Sequence, residues 1–198
     1  MKQYSILTKT DALRQDGIPS AAIDTVLWLP DPGIRASAQV TWDASALYVR
    51  LSAKEKAIRA EHTDPLGMPC EDSCLEFFFR PLADDTRYMN LEFNPNACFY
   101  AGIGHSGKDL IRLAPDPETF AAHPARTTDG WEISYTVPFS FIRMFFPSFA
   151  PKAGDLMYGN FFKCGDLTEK EHYLSWNPVT SETPNFHRSE DFGQLRFL

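Results

Sequence analysis

The sequence predicts an antiparallel β-sandwich with one or two short helical turns. Phe, Tyr and Trp make up 14% of the 198 residues, and aromatic side chains favour the pleated, half-buried surface of a strand. Fifteen prolines argue against long helices. Short segments of alternating polarity recur at intervals of about 8–12 residues, as in two packed antiparallel sheets, and predict about nine to eleven strands.

The first two strands are expected at residues 36–42 and 46–53, joined by a turn at residues 43–45. In the second strand, Leu47 and the apolar residues two and four positions later point to one face, and Tyr48, Arg50 and Ser52 point to the other. This strand should therefore face the core on one side only. Residues 55–69 contain Pro and Gly and are expected to form a loop.

Two strands at residues 72–81 and 87–94 are expected to pair, because only a short polar turn separates them. Such a link makes the strands antiparallel neighbours, whose polar faces then coincide. This arrangement places Glu76 near Asn90 and Glu92. The pattern thus predicts a polar row across one face of the sheet.

The remaining strands follow from the same alternation. They are expected at residues 97–103, 110–113, 131–138, 155–166, 173–176 and 193–197. Residues 139–146 are the best candidate for a helix, which would be only two turns long. From this helix, Phe139, Ile142, Met144 and Phe145 are expected to plug one end of the core.

One domain covering residues 1–198 is expected, since no linker-like composition and no internal repeat divides the chain. The net charge of −7 disfavours nucleic acid and anionic membrane surfaces as partners, and the oligomeric state stays open. No apolar run approaches the roughly 20 residues of a membrane span. Residues 1–11 lack a secretory pattern, so we expect a cytoplasmic location with four reduced, buried cysteines. One disulfide is the alternative if the protein is exported by another route.

A zinc site is disfavoured by the sequence, because the five histidines are scattered and Cys70 and Cys74 have no second cysteine pair to complete the ligand set. Calcium stays open, since acidic loops of β-sandwiches bind it through oxygen ligands. The candidate loops are those at Asp64, Asp84 and Asp166. Motifs for nucleophilic catalysis and for phosphate binding are absent. Structural calcium is therefore the one cofactor that we consider.

The carboxylates of Glu76 and Glu92, on adjacent strands, also suit a glycoside hydrolase. Retaining enzymes hold their two carboxyl groups about 5–5.5 Å apart, and inverting enzymes about 6.5–9.5 Å apart. The alternative without catalysis is a polar ladder, in which Arg50, Arg80 or Lys163 bridges the two carboxylates.

A ligand site is the third interpretation of this polar face. Sugars present C–H faces to aromatic rings and hydroxyl groups to amides and carboxylates. The candidate ligand-binding residues are Trp176, Glu76, Asn177, Asn90, Glu92, Lys163 and His187. Trp176 is flanked by polar residues, so it is either a stacking platform for the ligand or a core residue. Trp28, Trp42 and Trp131 lie within apolar alternation and are expected in the core or against the sheet.

Five short motifs follow one another along the chain: Trp42 with Leu47-Tyr48-Val49, Asp72-Ser73 with Glu76, Gly130-Trp131-Glu132 with Val137-Pro138, Ser175-Trp176-Asn177, and Phe192-Gly193 with Leu195. Their order resembles that of family 9 carbohydrate-binding modules, and more closely that of their stand-alone family 9-like relatives among the DOMON-type β-sandwiches. The resemblance runs from residue 34 to the C-terminus. It implies a jelly-roll or DOMON-like β-sandwich that binds sugar ends between aromatic rings, often with structural calcium, and performs no chemistry.

By position in the motifs, Trp176 matches a stacking tryptophan, Asn177 its hydrogen-bonding neighbour, and Glu76 the carboxylate that grips sugar hydroxyls. The family's second stacking tryptophan falls where this chain has Met-Pro-Cys-Glu at residues 68–71, and the family's arginine on the next strand is replaced by Asn90 or Glu92. We therefore expect a non-catalytic protein that binds a mono- or oligosaccharide. A glycoside hydrolase and a protein-interaction sandwich without a small ligand are the alternatives.

Overall fold

The computed structural model describes residues 1–14 and 17–198, in which fourteen strands and two short helices form. In chain order the strands are β1 (Gln3–Thr8), β2 (Ala21–Ile23), β3 (Thr25–Val26), β4 (Arg35–Trp42), β5 (Ala46–Lys54), β6 (Cys74–Arg80), β7 (Tyr88–Phe93), β8 (Phe99–Gly104), β9 (Ile111–Leu113), β10 (His123–Thr127), β11 (Gly130–Pro138), β12 (Leu156–Gly165), β13 (His172–Ser175) and β14 (Gly193–Phe197). The helices are α1 (Lys9–Arg14) and α2 (Phe139–Arg143). The predicted all-β class is confirmed.

The strands make two antiparallel layers that one strand connects. The first layer has the order β10-β11-β5-β4-β2, and the second has the order β14-β12-β6-β7-β8-β9, with β13 and β3 beside the far end of β12. Strand β1 pairs in parallel with β14 through residues 3–6 and with β4 through residues 7 and 8. The sheet therefore curls from one layer into the other, which leaves a core between them.

The core fills from alternate positions of the strands in both layers. Val49 and Leu51 of β5 and Phe77 of β6 are buried in this core. The rings of Phe93 on β7 and Tyr135 on β11 meet with centroids 4.6 Å apart, so the two layers touch directly. Burying each such side chain contributes about 1.5–3 kcal/mol, which makes this aromatic packing the main source of stability.

Strand β6 differs from β5 because it is buried on both faces. Phe77 and Phe79 face the core, whereas Cys74 and Phe78 point to the outer face of the second layer. On that outer face lies a second hydrophobic group, which we call the outer cluster. Its buried members are Leu27, Cys74, Phe78, Tyr88, Phe162, Cys164, Phe186 and Phe192. The chain thus covers part of the outer face and leaves polar side chains of β6 and β7 beside it.

The ten predicted strands are confirmed to within two residues at each end. Four further strands, β1, β2, β3 and β10, were not predicted. Strands β2 and β3 have only three and two residues, too few for a period to be read. Strand β10 is exposed along its whole length, so it carries no apolar alternation. The extra strands raise the number above the predicted nine to eleven.

The predicted helix forms but is shorter than residues 139–146, since α2 ends at Arg143. Phe139 and Ile142 plug the core as expected, together with Phe141 and Phe146. The prediction for Met144 is wrong, because this side chain is 71% exposed beyond the last helical turn.

No helix in the described part of the chain is long and apolar enough to cross a membrane.

Candidate functional site

A cleft of about 390 Å³ opens on the outer face of the second layer, beside the outer cluster. Acidic groups and rings line it together: Glu76, Glu92, Asp166, Trp28, Tyr100, Tyr173, Phe186 and His187. They come from β6, β7, β8 and β13, and from segments without regular secondary structure. Acidic and aromatic groups therefore converge at one depression.

Glu76 and Glu92 form the polar floor of the cleft, and they are register partners on β6 and β7, as predicted. Both are nearly buried, at 2% and 7% exposure. Glu92 accepts a 2.6 Å hydrogen bond from Asn90 Nδ2, and Glu76 Oε1 accepts one of 2.9 Å from Cys164 Sγ. Glu76 Oε2 has no hydrogen-bond partner within the described residues. The floor therefore keeps free hydrogen-bonding capacity for a ligand.

Burial raises the pKa of both carboxyl groups. Desolvation and the neighbouring charge of Glu92 hold the pKa of Glu76 well above its usual value. Desolvation likewise raises the pKa of Glu92 to about 7, although the hydrogen bond from Asn90 opposes the shift. A protonated carboxyl group both donates and accepts hydrogen bonds, as a sugar hydroxyl does, so the two groups are complementary.

As pH rises from 5 to 8, we expect the free energy of unfolding of wild type to fall relative to that of Glu92→Gln. Folded Glu92 keeps its proton up to about pH 7, whereas the unfolded side chain loses it near pH 4.5. The raised pKa therefore stabilises the fold fully below pH 4.5, and this contribution is lost as pH rises through 7. The change should approach about 3 kcal/mol.

Urea unfolding of both proteins at pH 5 and pH 8 measures this change. Titrations of groups that do not interact with Glu92 cancel in the difference between variant and wild type. Glu76 is the exception, because loss of the neighbouring Glu92 charge lowers its pKa in the variant. Glu118→Gln, at an exposed position, controls for loss of one acidic side chain. A difference between Glu92→Gln and wild type that stays constant over this range would contradict the prediction.

The aromatic wall of the cleft is built on the outer cluster. Phe186 stacks on Phe162 with ring centroids 4.1 Å apart, and Trp28 lies against Phe186 at 5.6 Å. The indole of Trp28 also packs edge-on to Tyr173 at 5.5 Å and donates a 2.7 Å hydrogen bond to the Ser181 carbonyl. Trp28 is half-buried, so part of its indole stays open to a ligand. The wall therefore offers rings for the C–H face of a sugar.

The backbone of Trp28 is strained, with φ at 57° in the left-handed region. A residue with a Cβ pays roughly 1–2 kcal/mol to adopt this conformation, which glycine adopts readily. Strain of this kind persists where the surroundings fix a side chain in position, and it clusters at binding sites. The contacts of the indole ring provide that fixation.

His187 lines the cleft as the sequence predicted. Its Nδ1 lies 2.8 Å from the Tyr88 hydroxyl, and its ring packs against Phe78 at 5.1 Å. Burial lowers the pKa of His187, which favours the neutral imidazole. A Cβ on Gly107 would approach the His187 ring to 3.1 Å, so the glycine allows a close approach of the two segments.

The predicted platform at Trp176 is wrong. The indole is only 4% exposed and belongs to the core between the layers. Its ring meets Tyr4 at 6.4 Å and Phe161 at 5.7 Å. A Cβ on Gly193 would come within 2.4 Å of this ring, so glycine at that position makes room for the indole. Trp176 therefore does not line the cleft that contains Glu76.

Asn177 and Asn90 are buried, and their side chains form hydrogen bonds within the protein. The Asn177 side chain accepts from the Lys2 amide at 2.7 Å and donates to the Asp191 carbonyl at 2.7 Å. Its predicted place beside an exposed platform is therefore wrong. Asn90 is fully buried and orients Glu92 from beneath the cleft surface. Its predicted proximity to Glu92 is confirmed.

The predicted position of Lys163 beside Glu76 is also wrong, because its side chain points to the opposite face of the sheet. Lys163 is the register partner of Leu75, a core residue, whereas Glu76 pairs with Phe162 of the outer cluster. The Lys163 ammonium lies 3.2 Å from Glu55 inside the protein.

The predicted polar ladder does not form within the described residues. Arg50 instead pairs with Glu132 on the first layer, and Arg80 stacks over the Tyr158 ring at 4.6 Å. With Lys163 directed into the core, none of the three predicted bridging residues pairs with Glu76 or Glu92.

In two of the three loops that the sequence offered for calcium, local contacts occupy a carboxylate. Asp64 caps the Leu66 amide, and Asp85 next to Asp84 holds Arg87 in an ion pair. Among the described residues, the only group of three or more candidate His, Cys, Asp or Glu ligands contains two thiols and one carboxylate. Thiols are poor ligands for calcium, so the predicted structural calcium gains no support.

A larger cavity, of about 830 Å³, lies at the ends of β5 and β11. Its lining mixes cationic side chains such as Lys54 and Arg126 with acidic ones such as Asp129. No Phe, Tyr or Trp of the described chain lines it. Without rings for the C–H face of a sugar, this cavity suits saccharides less well than the cleft.

The sequence analysis missed the rings of the cleft. Trp28, Tyr173 and Phe186 were not proposed as ligand platforms, and Tyr100 was not singled out. Tyr100 is the register partner of Glu92, and Arg112 lies over its ring at 4.6 Å. One signal was present: Phe186 lies next to His187 in a long polar segment, and Trp28 precedes a Leu-Pro-Asp-Pro turn.

Comparison with solved structures supports the fold. A protein from Bacteroides uniformis ATCC 8492, described provisionally as carbohydrate-binding, superposes with a TM-score of 0.84 at 25% identity, over 100% of this chain and 99% of its own. A carbohydrate-binding module of family 9 from Caldicellulosiruptor kristjanssonii, in complex with glucose, gives 0.69 at 13% identity over 100% and 96%. A module of the same family and organism, in complex with cellotriose, gives 0.68 at 13% over 99% and 93%.

A search of curated proteins returns no match. The model of carbohydrate-binding family 9 matches residues 8–197, which is nearly the whole chain. This match confirms the resemblance in motif order and the carbohydrate-binding function that it implied. The chain belongs to carbohydrate-binding family 9.

Proposed function

We propose that this protein is a non-catalytic module that binds a mono- or oligosaccharide in the cleft between Glu76 and Trp28. The carboxyl groups of Glu76 and Glu92 form hydrogen bonds with sugar hydroxyls, and the rings of Trp28 and Phe186 form the aromatic wall. His187 completes the rim. Membership of a carbohydrate-binding family supports this assignment.

The observation that carries the proposal is the pairing of buried carboxyl groups with aromatic rings at one opening. Both carboxyl groups are nearly desolvated, and no Lys or Arg of the described chain forms an ion pair with either. A buried polar group without a partner costs about 1–3 kcal/mol, and a sugar hydroxyl supplies the missing hydrogen bond. The same cost explains selectivity for the pattern of hydroxyls.

Glucose and its β-linked oligomers are the first ligands that we propose. The solved modules of similar fold hold glucose and cellotriose. Rings of this kind present continuous C–H patches, which suit a wall formed by Trp28 and Phe186. The family's second stacking tryptophan falls where this chain has residues 68–71, of which Met68 and Cys70 line the cleft and neither supplies a ring.

We expect Trp28→Gly to weaken sugar binding about tenfold, which corresponds to roughly 1.4 kcal/mol of lost ring contact. Glycine tolerates the left-handed backbone at this position, so the substitution relieves strain while it removes the indole. Calorimetric titration with glucose, cellotriose and a wider glycan panel measures the effect. Tyr48→Ala, at a half-buried position on the first layer, is the matched control.

A wild-type protein that binds no member of the panel would refute the proposal, as would unchanged affinity in Trp28→Gly. Aryl glycosides test for hydrolysis in the same samples. Turnover by wild type that disappears in Glu76→Gln would show a glycoside hydrolase using Glu76 and Glu92 instead.

A further inference from the structure

Two thiols and a carboxyl group meet at the floor of the cleft and directly beneath it. Cys74 and Glu76 are two positions apart on β6 and therefore point to the same face. Cys164 on β12 is the direct register partner of Cys74. One ligand atom from each of the three residues lies within 4.8 Å of the others. The sheet register alone thus assembles three metal-ligating side chains.

Among residues 1–14 and 17–198, no Lys or Arg forms an ion pair with Glu76. Glu76 is 2% exposed, and its Oε2 has no hydrogen-bond partner within the described residues. Cys74 and Cys164 are buried beside the rings of Phe78 and Phe162. An acidic group enclosed by apolar rings is costly to ionise unless a cation joins it. The free oxygen of Glu76 is an observation separate from the clustering of the three residues.

We propose that Cys74, Glu76 and Cys164 bind one divalent ion of the zinc class. Zinc takes thiolate sulfur at about 2.3 Å and carboxylate oxygen at about 2.0–2.2 Å, which requires ligand atoms separated by roughly 3.5–4 Å. The observed spacing admits this geometry after small side-chain rotations. Two soft thiolates disfavour calcium and magnesium. On binding, both thiols and the Glu76 carboxyl group give up their protons to solvent, so that two thiolates and a carboxylate hold the ion.

Two of the three proposed ligands lie at the surface of the cleft. Glu76 and Cys164 line the cleft, whereas Cys74 lies behind them and does not. The ion would therefore be reached from the sugar-binding side and would keep one position for water. The proposal goes beyond carbohydrate binding. Because it uses Glu76, which is also proposed to bind sugar hydroxyls, the ion and the sugar would meet at this side chain.

The sequence pattern had argued against zinc, because Cys70 and Cys74 have no second cysteine pair. The true partner of Cys74 is Cys164, which lies ninety positions away and arrives through the pairing of β6 with β12. The pairing of two distant strands brings these ligands together, so the spacing of cysteines along the sequence does not show that they are neighbours.

Titration of the reduced, chelator-treated protein with Co²⁺ and then Zn²⁺ tests the proposal. We expect one equivalent of Co²⁺ to give a thiolate-to-cobalt absorption band. Zn²⁺ should displace the Co²⁺ and abolish the band, whereas Ca²⁺ should leave the band unchanged. Cys74→Ser should weaken binding by more than about 100-fold, since loss of an outer partner of a ligand alone costs 10–100-fold. Cys98→Ser, a buried cysteine outside the group, is the control and should bind as wild type does.

Absence of the band in wild type, or equal weakening in Cys98→Ser, would overturn the proposal. A Cys74–Cys164 disulfide, detected by mass after thiol labelling, would also overturn it. Glu76→Gln provides a second variant if Cys74→Ser does not fold, and it should lower affinity while the cobalt–thiolate band persists. Sugar titration of Cys74→Ser separates the two functions, because Cys74 does not line the cleft.

Discussion

Replacing Trp176 with alanine is expected to lower the free energy of unfolding by about 3–5 kcal/mol and to leave the affinity of the cleft for sugar unchanged. The indole is 4% exposed and packs between Tyr4 of β1 and Phe161 of β12. Alanine would leave a cavity at the junction where β1 passes from one layer to the other. Neither the ring nor its neighbours line the cleft.

Urea unfolding together with sugar titration distinguishes this structural role from a ligand role. Trp28→Gly should show the opposite pattern, with weakened binding and a smaller loss of stability. If Trp176→Ala weakened binding while stability stayed near that of wild type, the indole would act as a platform after all. The two variants thus compare a tryptophan of the core, Trp176, with a tryptophan that lines the cleft, Trp28.

Alternation was sufficient to predict the strands and the pairing of Glu76 with Glu92. A short link between two strands fixes them as antiparallel neighbours, so their faces can be compared without the structure. The prediction for Trp176 failed because polar neighbours suggested exposure. Ser175 and Asn177, on either side of Trp176, are themselves buried. At the end of a strand the local composition therefore says little about which layer a ring enters.

Lys163 shows why distant strands cannot be aligned from the sequence. A shift of one residue between β12 and β6 moves every side chain of one strand to the other face. Lys163 pairs with Leu75 and not with Glu76, so it enters the core. The rings of Trp28 and Phe186 were missed for a different reason, because their segments have no strand or helix period that would place them.

Replacing Lys163 with methionine is expected to lower the free energy of unfolding by about 3–5 kcal/mol, because it leaves a buried acidic partner without its cation. The Lys163 ammonium is fully buried and lies 3.2 Å from Glu55 Oε2. It also donates to the Cys164 carbonyl at 2.8 Å and approaches His172 Nε2 at 2.7 Å. Glu55 Oε1 in turn accepts a 2.6 Å hydrogen bond from Trp131 Nε1.

His172 completes this network in its neutral form. Desolvation and the charge of Lys163 lower the pKa of His172 to about 4. His172 Nδ1 lies 2.6 Å from the Lys170 carbonyl, so Nδ1 carries the ring proton and donates it to this carbonyl. The unprotonated Nε2 then accepts a hydrogen bond from Lys163. The ammonium therefore has two hydrogen-bond partners, the Cys164 carbonyl and His172, and one ion-pair partner, Glu55, and all three lose it in Lys163→Met.

The double variant Glu55→Gln/Lys163→Met tests whether the loss comes from the unpaired charge. Glutamine still accepts the hydrogen bond from Trp131 but needs no cation, so the double variant should be more stable than the sum of the single losses predicts, by about 1–3 kcal/mol. Lys54→Met removes the neighbouring exposed partner of Asp129 and should change stability little. Urea unfolding of the four variants at pH 7 gives the coupling directly. Additive losses would mean that Lys163 stabilises the fold through its packing and its other contacts rather than through its pairing with Glu55.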